Sequence, residues 1–293
     1  AATKRGSHLA VSLERLAELT DEPFQRIVLS ATQRPLSEIA TFRQELAAVE
    51  RQQQAARNAN RLSKERYDKG VSSYLEVLDT ERTLFNAELQ LSELKQRYRN
   101  AILEPGMAFI EAIGERLGEV SPHFRAIAKS NGGSMFRIYR DARYARGRPY
   151  KENIGFHFRH ELGRDAHAPG YYVHIEPKLT LIGCGIWMPP SPALAKIRAF
   201  IDDNPNAWKK ARDDRTLCKR FGEIEGDRLK RPPRGYAADH PLVEDLKRKS
   251  FFVMQEHGPA LAGNAELVDE SIAAFRDADP LMRYLCMALG AEF

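Results

Sequence analysis

Residues 153–159 read NIGFHFR, residues 171–176 read YYVHIE, and residues 179–187 read LTLIGCGIW. In the first run Ile154, Phe156 and Phe158 fall on one side of an extended chain, with Asn153, His157 and Arg159 on the other. In the second, Tyr171, Val173 and Ile175 oppose Tyr172, His174 and Glu176. A period of two residues belongs to strands with one face in a core. The third run carries Gly183 and Gly185 and ends at Pro189-Pro190, where the backbone loses a ladder donor. Helices are expected at 192–202 after a Ser191 cap, at 207–214, at 243–247 and as a pair within 265–289. An amphipathic helix at 107–117 precedes the strands. Strands followed by helices predict an α+β domain over 101–293, an antiparallel sheet with flanking helices on one face.

Toward the N-terminus the texture changes. Residues 44–100 contain no Pro and a single Gly, Gly70. Val77, Leu84, Leu91 and Tyr98 recur in heptads, flanked by Leu78, Phe85 and Leu94, a seam of coiled-coil type. A more polar helix, about 43–68, offers Leu46, Val49, Ala56 and Leu62 as a thin stripe. Gly70 accepts the positive φ of a turn, so a long helical hairpin is predicted. Residues 1–43 read as a short α/β segment: leucines at 9, 13, 16 and 19, then an apolar run at 26–29 expected as a strand.

The 293 residues hold 45 Lys and Arg against 40 Asp and Glu, a formal charge of +5, with 43% apolar residues. That balance excludes a chain disordered throughout. Three separated cysteines, Cys184, Cys218 and Cys286, form no CxxC pair, which suits a reducing compartment and argues against a zinc framework. No membrane-spanning apolar stretch and no signal-peptide core are read, so a cytoplasmic location without membrane attachment is expected. The start at Ala1 rather than Met reads as a fragment.

Three resemblances follow from quoted strings. KRGSHL at 4–9, SLERL at 12–16 and QRIVLSATQRP at 25–35 resemble a piece of an Lhr-type superfamily 2 helicase, whose Ser-Ala-Thr motif couples hydrolysis to strand separation. ATP chemistry also requires a GxxxxGK[ST] loop and an Asp-Glu box, and the sequence has neither. RYDKG at 66–70, SSYLEVLD at 72–79, and Leu84-Phe85 with Ala87-Glu88 resemble the periplasmic hairpin of a TolC-type outer-membrane efflux protein. A channel of that kind further requires barrel strands, which are not read here. FRIYRDARY at 136–144, PYKEN at 149–153, YYVHIEP at 171–177, GCGIWMP at 183–189 and LKRPPRGY at 229–236 resemble a bacterial and fungal family catalogued only as domain of unknown function family 2461. That resemblance implies no reaction. Three partial resemblances in one chain predict a mosaic of 1–43, 44–100 and 101–293.

Within the third segment Arg137, Arg140, Asp141 and Arg143 form one run, Lys151 follows, and His174 and Glu176 lie two apart on one strand face. Lys230, Arg231 and His240 come from later loops. Arginine forks match carboxylates or phosphates, so these ten residues are the candidate pocket for an anionic small molecule. Complete catalytic machinery, a cofactor and a metal are not expected: His157 and His160 are three apart on a strand and point to opposite faces. Cys184, between glycines in an apolar run, reads as buried and inert. Between Trp208 and Lys249 thirteen basic residues face eight acidic ones. Weak, salt-sensitive nucleic-acid binding is the rival reading, with Trp208, Phe221 and Tyr236 available to stack bases. Self-association through 44–100 is the third.

Overall fold

The computed structural model describes residues 37–129, 131–137, 151, 153–163 and 169–293. The expected strand at 26–29 and most of the first segment lie outside the described residues.

Helix α1 (Ser37–Asp68) and helix α2 (Tyr74–Tyr98) form the hairpin. Its turn is closed by Gly70 at φ +69°, with the Gly70 N–H donating to the Tyr67 carbonyl and the Val71 N–H to the Arg66 carbonyl. This left-handed helix end satisfies carbonyls that the helix leaves open. Phe42, Leu46 and Ala47 of α1 pack on Leu91 and Leu94 of α2. Nearer the turn the interface is polar: Thr80 bonds Ser63 at 2.6 Å and accepts from Asn60 at 3.3 Å. Lys64–Glu81, Arg66–Glu76 and Arg57–Glu88 cross between the arms. The expected α1 stripe shifts here. Leu62 is exposed and Asn60 and Ser63 are buried, because these two positions continue the inward face from Ala56 at helical spacing.

The second arm passes without a loop through a π-helical turn, Arg99–Leu103, into α3 (Glu104–Leu117). A π turn inserts one residue into the helix, which re-aims the face that follows. Phe109, Ile110, Ile113 and Leu117 of α3 then enter the main core.

Strands β1 (Phe124–Arg125), β2 (Ile154–His160), β3 (Gly170–Ile175), β4 (Thr180–Ile186) and β5 (Phe251–His257) form one antiparallel sheet in that order. Between β4 and β5 run α4 (Ser191–Asp203), α5 (Pro205–Arg212), α6 (Arg215–Phe221) and α7 (Val243–Leu246); α8 (Glu266–Asp277) and α9 (Asp279–Leu289) close the chain. The apolar set of the sheet, including Phe156, Phe158, Tyr171, Val173, Ile182 and Val253, lies in one core with α3, α4, α5, α8 and α9. Phe109 meets Phe156 edge-on at 4.9 Å, and Tyr171 stacks on Phe275 at 4.4 Å. The chain is therefore α+β, with a helical hairpin ahead of the sheet domain.

Three local expectations change. Pro190, not Ser191, occupies the cap of α4, and Ser191 is its first helical residue. Helix α6 was not anticipated; Asp214 starts it by accepting from the Thr216 and Leu217 N–H groups. Strand β5 was also missed: Phe251-Phe252-Val253-Met254 is apolar on both faces and so shows no alternation.

Candidate functional site

The face of the sheet away from the core is set by strand parity. Gly155, His157 and Arg159 of β2 share it with Gly170, Tyr172 and His174 of β3, Leu181, Gly183 and Gly185 of β4, and Phe252, Met254 and Glu256 of β5. Register brings glycines together: Gly170 pairs with Gly185, and Tyr172 pairs with Gly183. Three neighbouring positions thus carry no side chain. A cavity of about 340 Å³ lies there, lined by Phe136, His157, Gly170, Tyr172, Gly183, Cys184, Gly185, Trp187, Phe252 and Met254. A volume of this size falls at the lower end of small-molecule sites.

Most of these glycines have a packing reason. A Cβ at Gly170 would run into the His157 ring nitrogen, so the imidazole lies over that glycine. At Gly155 a Cβ would come within 2.8 Å of the Tyr172 hydroxyl and 2.9 Å of Phe136. Gly185 sits at φ +135°, closed to ordinary side chains, with Phe251 and Phe252 against it. Gly183 differs, since its Cβ would find only ordinary contacts, the nearest being the Val253 carbonyl at 3.4 Å.

Tyr172, on the cavity wall, opens a polar chain along β3. Its hydroxyl lies 3.0 Å from His174 Nδ1, and His174 Nε2 lies 3.4 Å from the Glu176 carboxylate. The Glu176 carboxylate can only accept, which assigns the proton to Nε2 in the neutral imidazole and leaves Nδ1 to accept from the tyrosine hydroxyl. Burial pushes the Tyr172 phenol up to about 12, which keeps it protonated as a donor. Phe136 touches both rings of the wall, 6.0 Å from Tyr172 and 5.9 Å from His157, and carries the Lys151 ammonium 5.4 Å over its face.

Of the candidate residues, His174 and Glu176 are brought together, and Lys151 reaches the same group through Phe136. Arg137 follows Phe136 and is exposed. Arg140, Asp141 and Arg143 lie outside the described residues. Lys230, Arg231 and His240 are not among the described lining of this cavity. His240 instead bonds Asp202 of α4 at 3.0 Å, with Tyr236 edge-on beside it. Sequence reasoning missed Tyr172, His157 and the glycines as a group. The signal was the parity of Gly170, Tyr172 and His157, which the alternation already displayed.

Part of the basic stretch is engaged with acids. Arg212 bonds Asp213 and Asp245, Arg220 bonds Glu270 and Asp277, and Lys247 bonds Glu244. Arg248, buried, reaches Asp245 and the Ile224 carbonyl. A second cavity, of about 350 Å³, lies among Arg212, Asp245 and Arg248 and their neighbours. Trp208 and Phe221 are buried, which leaves Tyr236 as the one accessible ring of the three named for stacking. His157 and His160 face opposite ways, His160 bonding the Glu292 carbonyl at 2.7 Å. Among the described residues no group of three or more His, Cys, Asp or Glu is placed to hold a metal. Burial raises the Cys184 thiol well above its ordinary value, so it is no nucleophile. Among them, too, no helix is long and apolar enough to cross a membrane.

Comparison with known proteins resolves the chain into similar pieces. A family model described as conserved hypothetical protein (DUF2461) matches residues 79–284. A second, described as outer membrane efflux protein, matches residues 16–104, so the two share 79–104, most of α2 and the π turn. Over 42 residues the chain is 69% identical to "Lhr helicase/ probable uracil glycosylase" of Mycolicibacterium smegmatis. That stretch is 14% of this chain and 3% of the relative's length. No solved structure matches. The chain is a mosaic of segments similar to three different proteins.

Proposed function

This chain belongs to the family described as conserved hypothetical protein (DUF2461), and from the geometry of its sheet we propose that it works as a small-molecule-binding protein, with its ligand on the sheet face away from the core. The observation that supports this is the apolar cavity joined through Tyr172 to the His174–Glu176 chain. The ligand's apolar body fills the cavity, and an anionic group lies toward Lys151 and Arg137, with Arg140 and Arg143 as further cations of the same run. Catalysis is not part of the proposal. The fluorescent anion 1-anilinonaphthalene-8-sulfonate tests it. Micromolar binding is expected, weakened severalfold by Lys151→Ala and at least tenfold by Gly183→Val, which fills the cavity. Unchanged affinity in Gly183→Val, with unfolding temperature also unchanged, would overturn the reading.

The hairpin favours a second reading, self-association. Helix α2 carries two seams. One, at 77, 80, 84, 87, 91, 94 and 98, faces α1. The other, at Leu75, Leu78, Arg82, Phe85 and Leu89, repeats at three and four residues and is exposed, Leu75 by 75% and Phe85 by 65%. A second heptad seam is met by another helix that bears one, and a further copy of this hairpin does. Light scattering should give a mass that rises with concentration, abolished by Phe85→Glu. A monomer at every concentration would exclude it.

A further inference from the structure

Gly183 is the position that the fold does not account for. Its φ is ordinary, its Cβ would meet no atom closer than 3.4 Å, and a residue with a side chain would favour the strand more. A valine or threonine there would close the cavity; glycine keeps it open. Together Gly183 and Gly185 present β4 backbone that carries no side chain. Around it stand the rings of Tyr172, Phe252 and Trp187, the Met254 side chain, and His157 leaning over Gly170.

A floor of bare strand backbone between ring-bearing walls is shaped for a flat guest. Aromatic edges and faces meet a ring at its faces and rim, whereas a puckered saturated body touches the same floor at a few hydrogens only. The described lining holds one imidazole, His157, whose ring lies over the glycine next to the floor. We infer that the cavity is a slot for a planar aromatic or heteroaromatic ring system, bicyclic in size, laid on the Gly183–Gly185 backbone with one polar edge toward His157. This rests on the small-molecule reading above and names the class of ligand.

The test uses carboxylates of one bicyclic ring skeleton: naphthalene-2-carboxylate, its fully saturated decahydro analogue, and quinoline-2-carboxylate, in which nitrogen replaces one ring CH. Calorimetry measures affinity for the full chain and for Gly183→Ala and Gly183→Val. The tryptophan signal reports location, since Trp187 is 57% exposed at the rim whereas Trp208 is 0% exposed. Naphthalene-2-carboxylate should bind at least tenfold tighter than the saturated analogue. Affinity should fall in order from Gly to Ala to Val, while the unfolding temperature holds. Quinoline-2-carboxylate should gain severalfold over naphthalene-2-carboxylate, a gain lost in His157→Phe. Equal binding of planar and saturated carboxylates, both lost in Gly183→Val, would overturn the planar slot and leave the small-molecule reading standing. Binding indifferent to position 183 would overturn both.

Discussion

Position 185 combines two constraints that only glycine meets. Its φ of +135° is disfavoured for side-chain-bearing residues, and a Cβ would drive into the Phe251 carbonyl on the adjacent strand. Gly185→Ala is expected to cost about 2 kcal/mol or more in urea unfolding, whereas Gly183→Ala should stay within about 1 kcal/mol of the parent. Equal losses at the two sites would show that β4 tolerates neither change and that Gly183 too is there for packing. The polar residues divide in a similar way. His174 and Glu176 are legible from sequence because strand residues two apart share a face. Tyr172 shares that face by the same parity, but nothing local says that its hydroxyl turns toward His174 rather than to water.

Among the elements, the hairpin shows how a polar layer is carried inside a helical interface. Asn60 and Ser63 are buried in α1 and meet the Thr80 hydroxyl of α2. Thr80→Val keeps the shape but removes that hydroxyl, leaving the Asn60 amide without this bond. The cost is expected to be about 1–2 kcal/mol, read as a lower thermal midpoint of helical circular dichroism. Changing Asn60→Leu and Ser63→Ala as well should recover much of the loss, since an apolar layer leaves nothing unsatisfied. Failure of the triple variant to recover would mean that the layer sets helix alignment as well as energy. The heptad pattern in α2 was readable because a seven-residue repeat survives any sequence context. Which seam meets α1 was not: Leu78 and Phe85 flank the inner positions in sequence yet are exposed. Strand β5 was hidden for the opposite reason, since Phe252 and Met254 line the cavity and erase the alternation.

At the scale of the molecule, burial leaves several acids reluctant to ionise. The Tyr172 phenol and the Cys286 thiol are pushed up to about 12, and Tyr171, Tyr284 and Cys184 are raised as well, each chiefly by burial. The folded chain therefore holds protons that the unfolded chain releases above about pH 9–10. Stability from these groups is complete below that range and is lost as pH rises toward 12. The unfolding temperature should drop steeply from pH 9 to 12, less so in Tyr172→Phe, whose share is on the order of 2–3 kcal/mol. A flat profile over that range would mean that these groups meet water in the native state. The join between hairpin and sheet domain is also a property of the whole. Tyr98 packs against the hairpin cluster and the main core, and the helix passes from α2 to α3 without a loop. The boundary expected between 100 and 101 falls inside the π turn. In brief trypsin digestion the turn at Lys69 should be cut before Arg97 or Arg99; an early fragment starting at residue 100 would show the arm to be separable.

Periodicity belongs to the local chain, so the hairpin with its Gly70 turn, the strands β2 to β4 with their inward faces, and the α+β class can all be read from the order of residues. Hydrophobic spacing states which side of an element is buried, whatever it is buried against. That β5 lies beside β4, that Gly170, Gly183 and Gly185 adjoin, and that His157 and Tyr172 wall the space above them emerges with the pairing of the strands. The β4–β5 pairing crosses the long connection 187–250 and is settled by the packing of the core, whereas the β3–β4 register that brings the glycines together is set across the short turn at 176–179; neither is a property of one strand alone.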